Sequence, residues 1–155
     1  MNFDKVKAVI ELNKNARTME AVRRFGMGRC AQYVRAAIDT GFGIENTLHY
    51  PKKSILAVKG VVPMSANKYG NNLIELGFNL IKKEILNKDY SRVILSDYTP
   101  LNGDISVIIN SSSKHGHICM FNGVSWVSDF TQNDICGGSK YRTKDTIINV
   151  YRYNG

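Results

Sequence analysis

The sequence predicts an α+β fold in a single domain over residues 1–155, with N-terminal helices followed by an antiparallel sheet. Three observations carry this. Apolar residues recur at helical spacing through the first forty positions, short β-prone runs separated by turn residues follow from residue 93 onward, and neither repeats nor linkers divide the chain. A chain of 155 residues is long enough to bury one hydrophobic core without disulfide or metal staples.

The elements follow in order. Phe3, Val6, Val9 and Ile10 predict an amphipathic helix over 3–12, and Ala16, Met19, Val22 and Phe25 a second over 16–25. After Gly26-Met27-Gly28-Arg29, the stripe Ala31, Val34, Ala37 and Ile38 predicts a helix that starts at Cys30 and is stopped by Gly41 and Gly43. Pro51 and Pro63 make 44–64 a loop with one short strand at 55–58. Ser65 is placed to cap a helix running to Leu76, ended by Gly77, after which 78–81 begins as a strand and a polar stretch reaches Tyr90. Further strands are expected at 93–95, at 105–109 after the turn 100–104, at 117–121, at 125–130 and at 146–153. Asn122-Gly123 between two β-prone runs marks a hairpin.

Composition narrows the function. The formal net charge is +8, from 21 Lys+Arg against 13 Asp+Glu, which favours encounter with polyanions. The basic residues are scattered, as at Arg23-Arg24, Lys52-Lys53 and Lys82-Lys83, and no nucleic-acid-binding signature accompanies them, so a solvated surface is favoured over a nucleic-acid module. The three cysteines, 30, 119 and 136, show no C-x-x-C spacing, which argues against a structural metal. A bridge between Cys119 and Cys136 would leave Cys30 as the free thiol. Gly26-x-Gly28 follows no strand and lacks the third glycine of a dinucleotide fingerprint, so no cofactor is expected. Asp4, Lys5, Lys7 and Glu11 break the first twelve residues, so neither a signal peptide nor a membrane span is read there. The chain is expected to be made in the cytoplasm, and other machinery, or lysis of the host cell, would bring it to a target beyond the membrane.

The chemistry centres on Cys30. A thiol at a helix N-terminus meets unpaired backbone N–H groups and the positive end of the helix dipole, which predicts a lowered pKa and a reactive thiolate. His117 heads an apolar strand downstream, with His115 as its competitor, and Asp129 follows, so the parts of a cysteine hydrolase occur in the order Cys, His, acid. A two-residue loop at 122–123 would set Ser128 opposite His117. A three-residue loop at 122–124 would set Asp129 there instead, where its carboxylate could fix the imidazole tautomer; spacing leaves both registers open. The Cys30 backbone N–H is the obvious oxyanion donor, and Tyr33 or a loop side chain is a candidate for the second. Cys119 and Cys136 read as structural thiols, and Trp126 as core.

These residues resemble the papain-like peptidoglycan hydrolases of the NlpC and CHAP type. The matching segments are Gly28-Arg29-Cys30-Ala31-Gln32-Tyr33-Val34-Arg35, Asn102-Gly103-Asp104-Ile105-Ser106-Val107, Gly116-His117-Ile118-Cys119-Met120 and Trp126-Val127-Ser128-Asp129-Phe130-Thr131-Gln132. Within that group the chain is most similar to the small amidase effectors of type VI secretion, which also share a segment like Gly137-Gly138-Ser139-Lys140-Tyr141-Arg142. The resemblance implies Cys30 as nucleophile, His117 as general base and acid, and Asp129 as orienting third member, which favours the three-residue loop. It implies hydrolysis of an amide in the peptide stem or crosslink of peptidoglycan, action in the periplasm of a target cell, delivery by secretion machinery, and a cognate immunity protein. Many NlpC-type enzymes carry a histidine where Asp129 stands. A phage endolysin of the same chemistry is the nearest rival; a non-enzymatic basic module binding polyanions is the rival from another class.

Overall fold

The structure is a computed structural model that describes residues 2–21 and 29–155. Helix α1 (Lys5–Ala21) is capped by Asp4, whose carboxylate accepts from the backbone N–H of Val6 at 3.0 Å and of Lys7 at 3.1 Å. One helix replaces the two expected there, because no glycine or proline interrupts 5–21. Its inner face is Ala8, Val9, Leu12 and Ala16, while Val6 and Ile10 point to solvent. The expected positions Val22 and Phe25, and the Gly26-Met27-Gly28 loop, lie outside the described residues.

Helix α2 (Cys30–Gly41) packs on α1 through Val34, Ala37 and Ile38, all fully buried. The stretch after it is irregular, as expected, but 55–58 forms no strand; only an isolated bridge joins Val58 and Val61. Ser65 does not cap a long helix. A short 3-10 turn (Ala66–Lys68) and helix α3 (Gly70–Glu75) share that segment, and the Ser65 hydroxyl instead lies 2.7 Å from His115 Nδ1.

Five antiparallel strands follow, β1 (Phe78–Ile85), β2 (Ile105–Asn110), β3 (Ser113–Phe121), β4 (Trp126–Val127) and β5 (Ile147–Tyr153), in the spatial order β1-β5-β2-β3-β4. Strand β1 runs on through Lys82-Lys83-Glu84, which the sequence presents as a polar stretch. It is an edge strand with most of its side chains in solvent, so its pattern carries no apolar alternation. Residues 93–95 are not a strand: Val93 and Leu95 are buried under the sheet, and the Val93 N–H donates to Asp134 Oδ2 at 3.0 Å.

The sheet is covered on both sides. Helices α1 and α2 close one face over Phe78, Ile105, Val107, Ile118 and Met120, and the loops carrying Val93, Leu95, Ile135 and Cys136 close the other over Ile108, Cys119, Ile148 and Val150. Inside the second layer Asp104 is completely buried and holds Arg152 through two contacts of 2.8 Å, with Tyr98 Oη donating at 2.6 Å and the Leu101 N–H at 2.9 Å. All three cysteines are free thiols, so no bridge joins Cys119 and Cys136.

Candidate active site

Cys30 opens helix α2, as expected, and α2 packs across β3. Its thiol is not exposed at the helix end: the residue is 8% accessible, and burial pushes the thiol up to about 11. The Ile118 backbone N–H pulls the other way, the Asp129 charge adds to the rise, and the N–H groups of Ala31 and Cys30 lower it again. Desolvation therefore outweighs the helix terminus, and the expected preformed thiolate gives way to a neutral resting thiol.

His117 sits on β3 opposite Ile108, just after Gly116, where φ of +65° and the register shift between Ile108 and Asn110 bend the strand. A side chain at Gly116 would collide with the Ile108 carbonyl oxygen. His117 is buried, and burial lowers its pKa, while the hydrogen bond to Gln132 and the charge of Asp129 raise it in part.

The third position differs from expectation. Asn122 Oδ1 accepts from the N–H groups of Val124 and Ser125, at 2.9 and 2.7 Å, which closes a four-residue loop; Met120 then pairs with Val127 and Phe121 with Trp126. Neither the two-residue nor the three-residue loop occurs, and Asp129 does not lie opposite His117. Strand β4 ends after two residues, the chain reverses where the Ser128 N–H meets the Phe130 carbonyl, and Gln132 returns to donate its N–H to the Trp126 carbonyl. The partner of His117 Nε2 is Gln132 Oε1, at 2.7 Å.

That amide has only one workable orientation. Gln132 Nε2 donates to the carbonyls of Asp134 at 2.9 Å and Ile135 at 3.4 Å, so Oε1 must face the ring and accept. His117 therefore carries its proton on Nε2, and Nδ1 is the basic nitrogen. Tyr141 holds the ring from another side: the two rings stack at 5.4 Å and 24°, and Tyr141 Oη donates to the Gly116 carbonyl at 2.9 Å. Gly137, at φ +76°, leaves room for the amide, since a Cβ there would stand 2.9 Å from Gln132 Cδ.

Asp129 is 2% accessible, takes a hydrogen bond from Ser128 Oγ at 3.2 Å, and makes none through Oδ2 among the described residues. Its charge bears on Cys30, His117 and Tyr33. Cys30, His117 and Asp129 line one cavity of about 360 Å³. His115 also lines it, but its Nδ1 faces Ser65 and its side chain is exposed, unlike that of His117. Among the described residues no group of three or more His, Cys, Asp or Glu side chains could hold a metal ion. Sequence reasoning missed Gln132, Tyr141 and Gly137 as parts of the site. Their signals, an amide three residues past Asp129 and a Gly-Gly before an aromatic residue, become readable only once the four-residue loop is known.

No protein-family model matches the chain, and no curated protein matches it. Two solved structures do. One is the type VI native effector–immunity complex Tae3–Tai3 from Ralstonia pickettii, 25% identical, with a TM-score of 0.65, covering 98% of this chain and 100% of that one. The other is the selenomethionine form of the same complex, at 24% identity and TM-score 0.58, over 93% of this chain and 98% of that one. The likeness spans the whole chain and establishes its fold: α+β and papain-like, with a helix that begins at the cysteine packed on an antiparallel sheet.

Proposed function

We propose that this chain is a type VI effector that hydrolyses an amide bond in the peptide stem or crosslink of peptidoglycan, with Cys30 as nucleophile, His117 as general base and acid, and Asp129 as the charged member of the site. One observation carries the reading: Cys30, His117 and Asp129 line a single cavity in which the Gln132 amide leaves Nδ1 of His117 as the basic nitrogen. The matched complexes pair an effector with its immunity protein, which supports both the effector role and a cognate immunity protein that binds this chain. On this reading the protein is made in the cytoplasm and acts in the periplasm of a target cell.

The mechanism follows from the resting states of the groups. The thiol is neutral and the imidazole is held neutral by burial, so His117 Nδ1 takes the Sγ proton as the thiolate attacks the amide carbonyl. A C–S bond forms, and the carbonyl oxygen gains charge beside the Cys30 backbone N–H at the helix start. Asp129 stabilises the imidazolium through its charge rather than through a hydrogen bond, and Gln132 keeps the ring oriented. The C–N bond then breaks as His117 returns the proton to the leaving amine. Water, deprotonated by the same nitrogen, releases the acyl group and restores the thiol.

Incubation of purified sacculi with the wild-type protein should release soluble muropeptides whose new termini, read by mass spectrometry, identify the bond. The Cys30→Ala variant should release none while keeping the wild-type melting profile; digestion by that variant would overturn the mechanism.

A further inference from the structure

Two exposed lysines that line the cavity take no part in the steps above. Lys114 on β3 and Lys140 in the turn Ser139–Tyr141 line the same cavity as Cys30 and His117, and both are exposed. Neither makes an ion pair among the described residues.

Their backbones are anchored, while neither ammonium group has a carboxylate partner among the described residues. The Lys140 carbonyl accepts from Asn110 Nδ2 and Thr143 Oγ1, each at 3.1 Å, and the Lys114 carbonyl accepts from Asn67 Nδ2 at 3.2 Å. Lys140 Nζ lies 5.5 Å from the centroid of Tyr141, whose ring stacks on His117. This places one positive charge on the residue that touches the base. Among the described residues, Asp129 supplies the one carboxylate of the cavity wall, and it is buried. The two lysines thus bring positive charge without an ion-pair partner to the cavity they share with Cys30, and a group entering it with negative charge would be attracted to them.

We propose that Lys114 and Lys140 form a subsite for a carboxylate on the substrate residue adjoining the scissile amide, so that the preferred substrate is an anionic peptide with that carboxylate free. The inference rests on the hydrolase reading and deepens it. Lysine suits the task as a mobile point charge, able to follow a carboxylate on a flexible peptide.

The test uses two stem tetrapeptides that differ only at the D-glutamate α-carboxyl, free in one and amidated in the other. Binding of each to the Cys30→Ala protein is measured by calorimetry, and hydrolysis of each by the active protein as kcat/KM. The free acid should be preferred about tenfold, since each exposed ion pair contributes up to a few-fold, and the preference should shrink as salt rises. In the Lys114→Met/Lys140→Met protein, checked for an unchanged melting profile, the ratio should fall toward one. A ratio near one in the wild type, or a preference that survives the double substitution, overturns the subsite. Absence of hydrolysis of both peptides and of sacculi, alongside a binding preference in the Cys30→Ala protein, overturns the hydrolase reading and leaves the carboxylate subsite standing as a binding site.

Discussion

At His117 the decisive fact is which nitrogen carries the proton. Gln132 settles it because its own NH2 is committed to two backbone carbonyls, so the amide cannot turn over without losing both. Burial holds the imidazole below its ordinary value, and a protonated ring cannot accept the thiol proton. The rate should therefore rise with pH through an acid limb centred below 6.5, the ordinary imidazole value. Gln132→Leu removes a bond that raises the pKa, so the limb should move to still lower pH while kcat falls roughly a hundredfold, the scale of positioned base catalysis. A kcat/KM profile of both proteins checks this; an acid limb above 6.5 in the wild type would contradict the assignment. Cys30 shows the same competition in reverse. Its helix-terminal N–H groups favour the thiolate, but they act on a sulfur that is almost fully desolvated, and desolvation prevails.

Among the elements, the segment from β4 to Tyr141 does most to build the site. Strand β4 is only two residues long, so the chain leaves the sheet before reaching His117 and comes back with Gln132, Gly137 and Tyr141 around the ring. Asp134 ties this segment down: it accepts from the backbone N–H groups of Val93, Cys136 and Gly137 and pairs with Arg142 at 2.8 Å. Gly137 is its most sensitive point, because its φ is positive and its Cα faces the Gln132 amide. Gly137→Ala should cost about 1–2 kcal/mol of stability in urea denaturation from backbone strain. Its kcat should fall further than that loss explains, since the new methyl displaces the amide from His117. Wild-type kcat in that variant would show that the amide tolerates the contact.

For the whole molecule, the sheet is sandwiched between a helical layer and a loop layer, and the loop layer has few regular hydrogen bonds of its own. Buried polar contacts stand in for them. Asp104, fully buried with Arg152, Tyr98 and the Leu101 N–H around it, joins β2, β5 and the 98–101 loop. Asp104→Ala leaves the Arg152 charge uncompensated and should cost about 3 kcal/mol in a denaturant titration. That is a large share of the roughly 5–15 kcal/mol that stabilises an ordinary domain. A loss below about 1 kcal/mol would mean that Arg152 finds equal hydration in solvent.

Legibility from sequence varied with the physical origin of each feature. Residues 30–41 were readable because their apolar residues repeat at the helical period and face a core, and 105–110 because a β-prone run follows a turn. The first helix was read with its inner stripe partly misplaced, since Val6 and Ile10 look outward. Strand β1 was seen only at its start, because an edge strand in solvent has no apolar alternation to betray it.

By itself the sequence determined that the chain is α+β, that Cys30 begins a helix, and that His117 lies on a strand ahead of a hairpin. The tertiary structure alone decided what surrounds them. An Asn122 side chain that closes a four-residue loop moves every downstream residue by one position relative to the three-residue loop that favoured Asp129, and a one-residue step in register turns a side chain to the other face. Gln132 thereby became the partner of His117. The same packing buried the thiol and raised its pKa, because desolvation depends on everything packed around an atom, which no local spacing records.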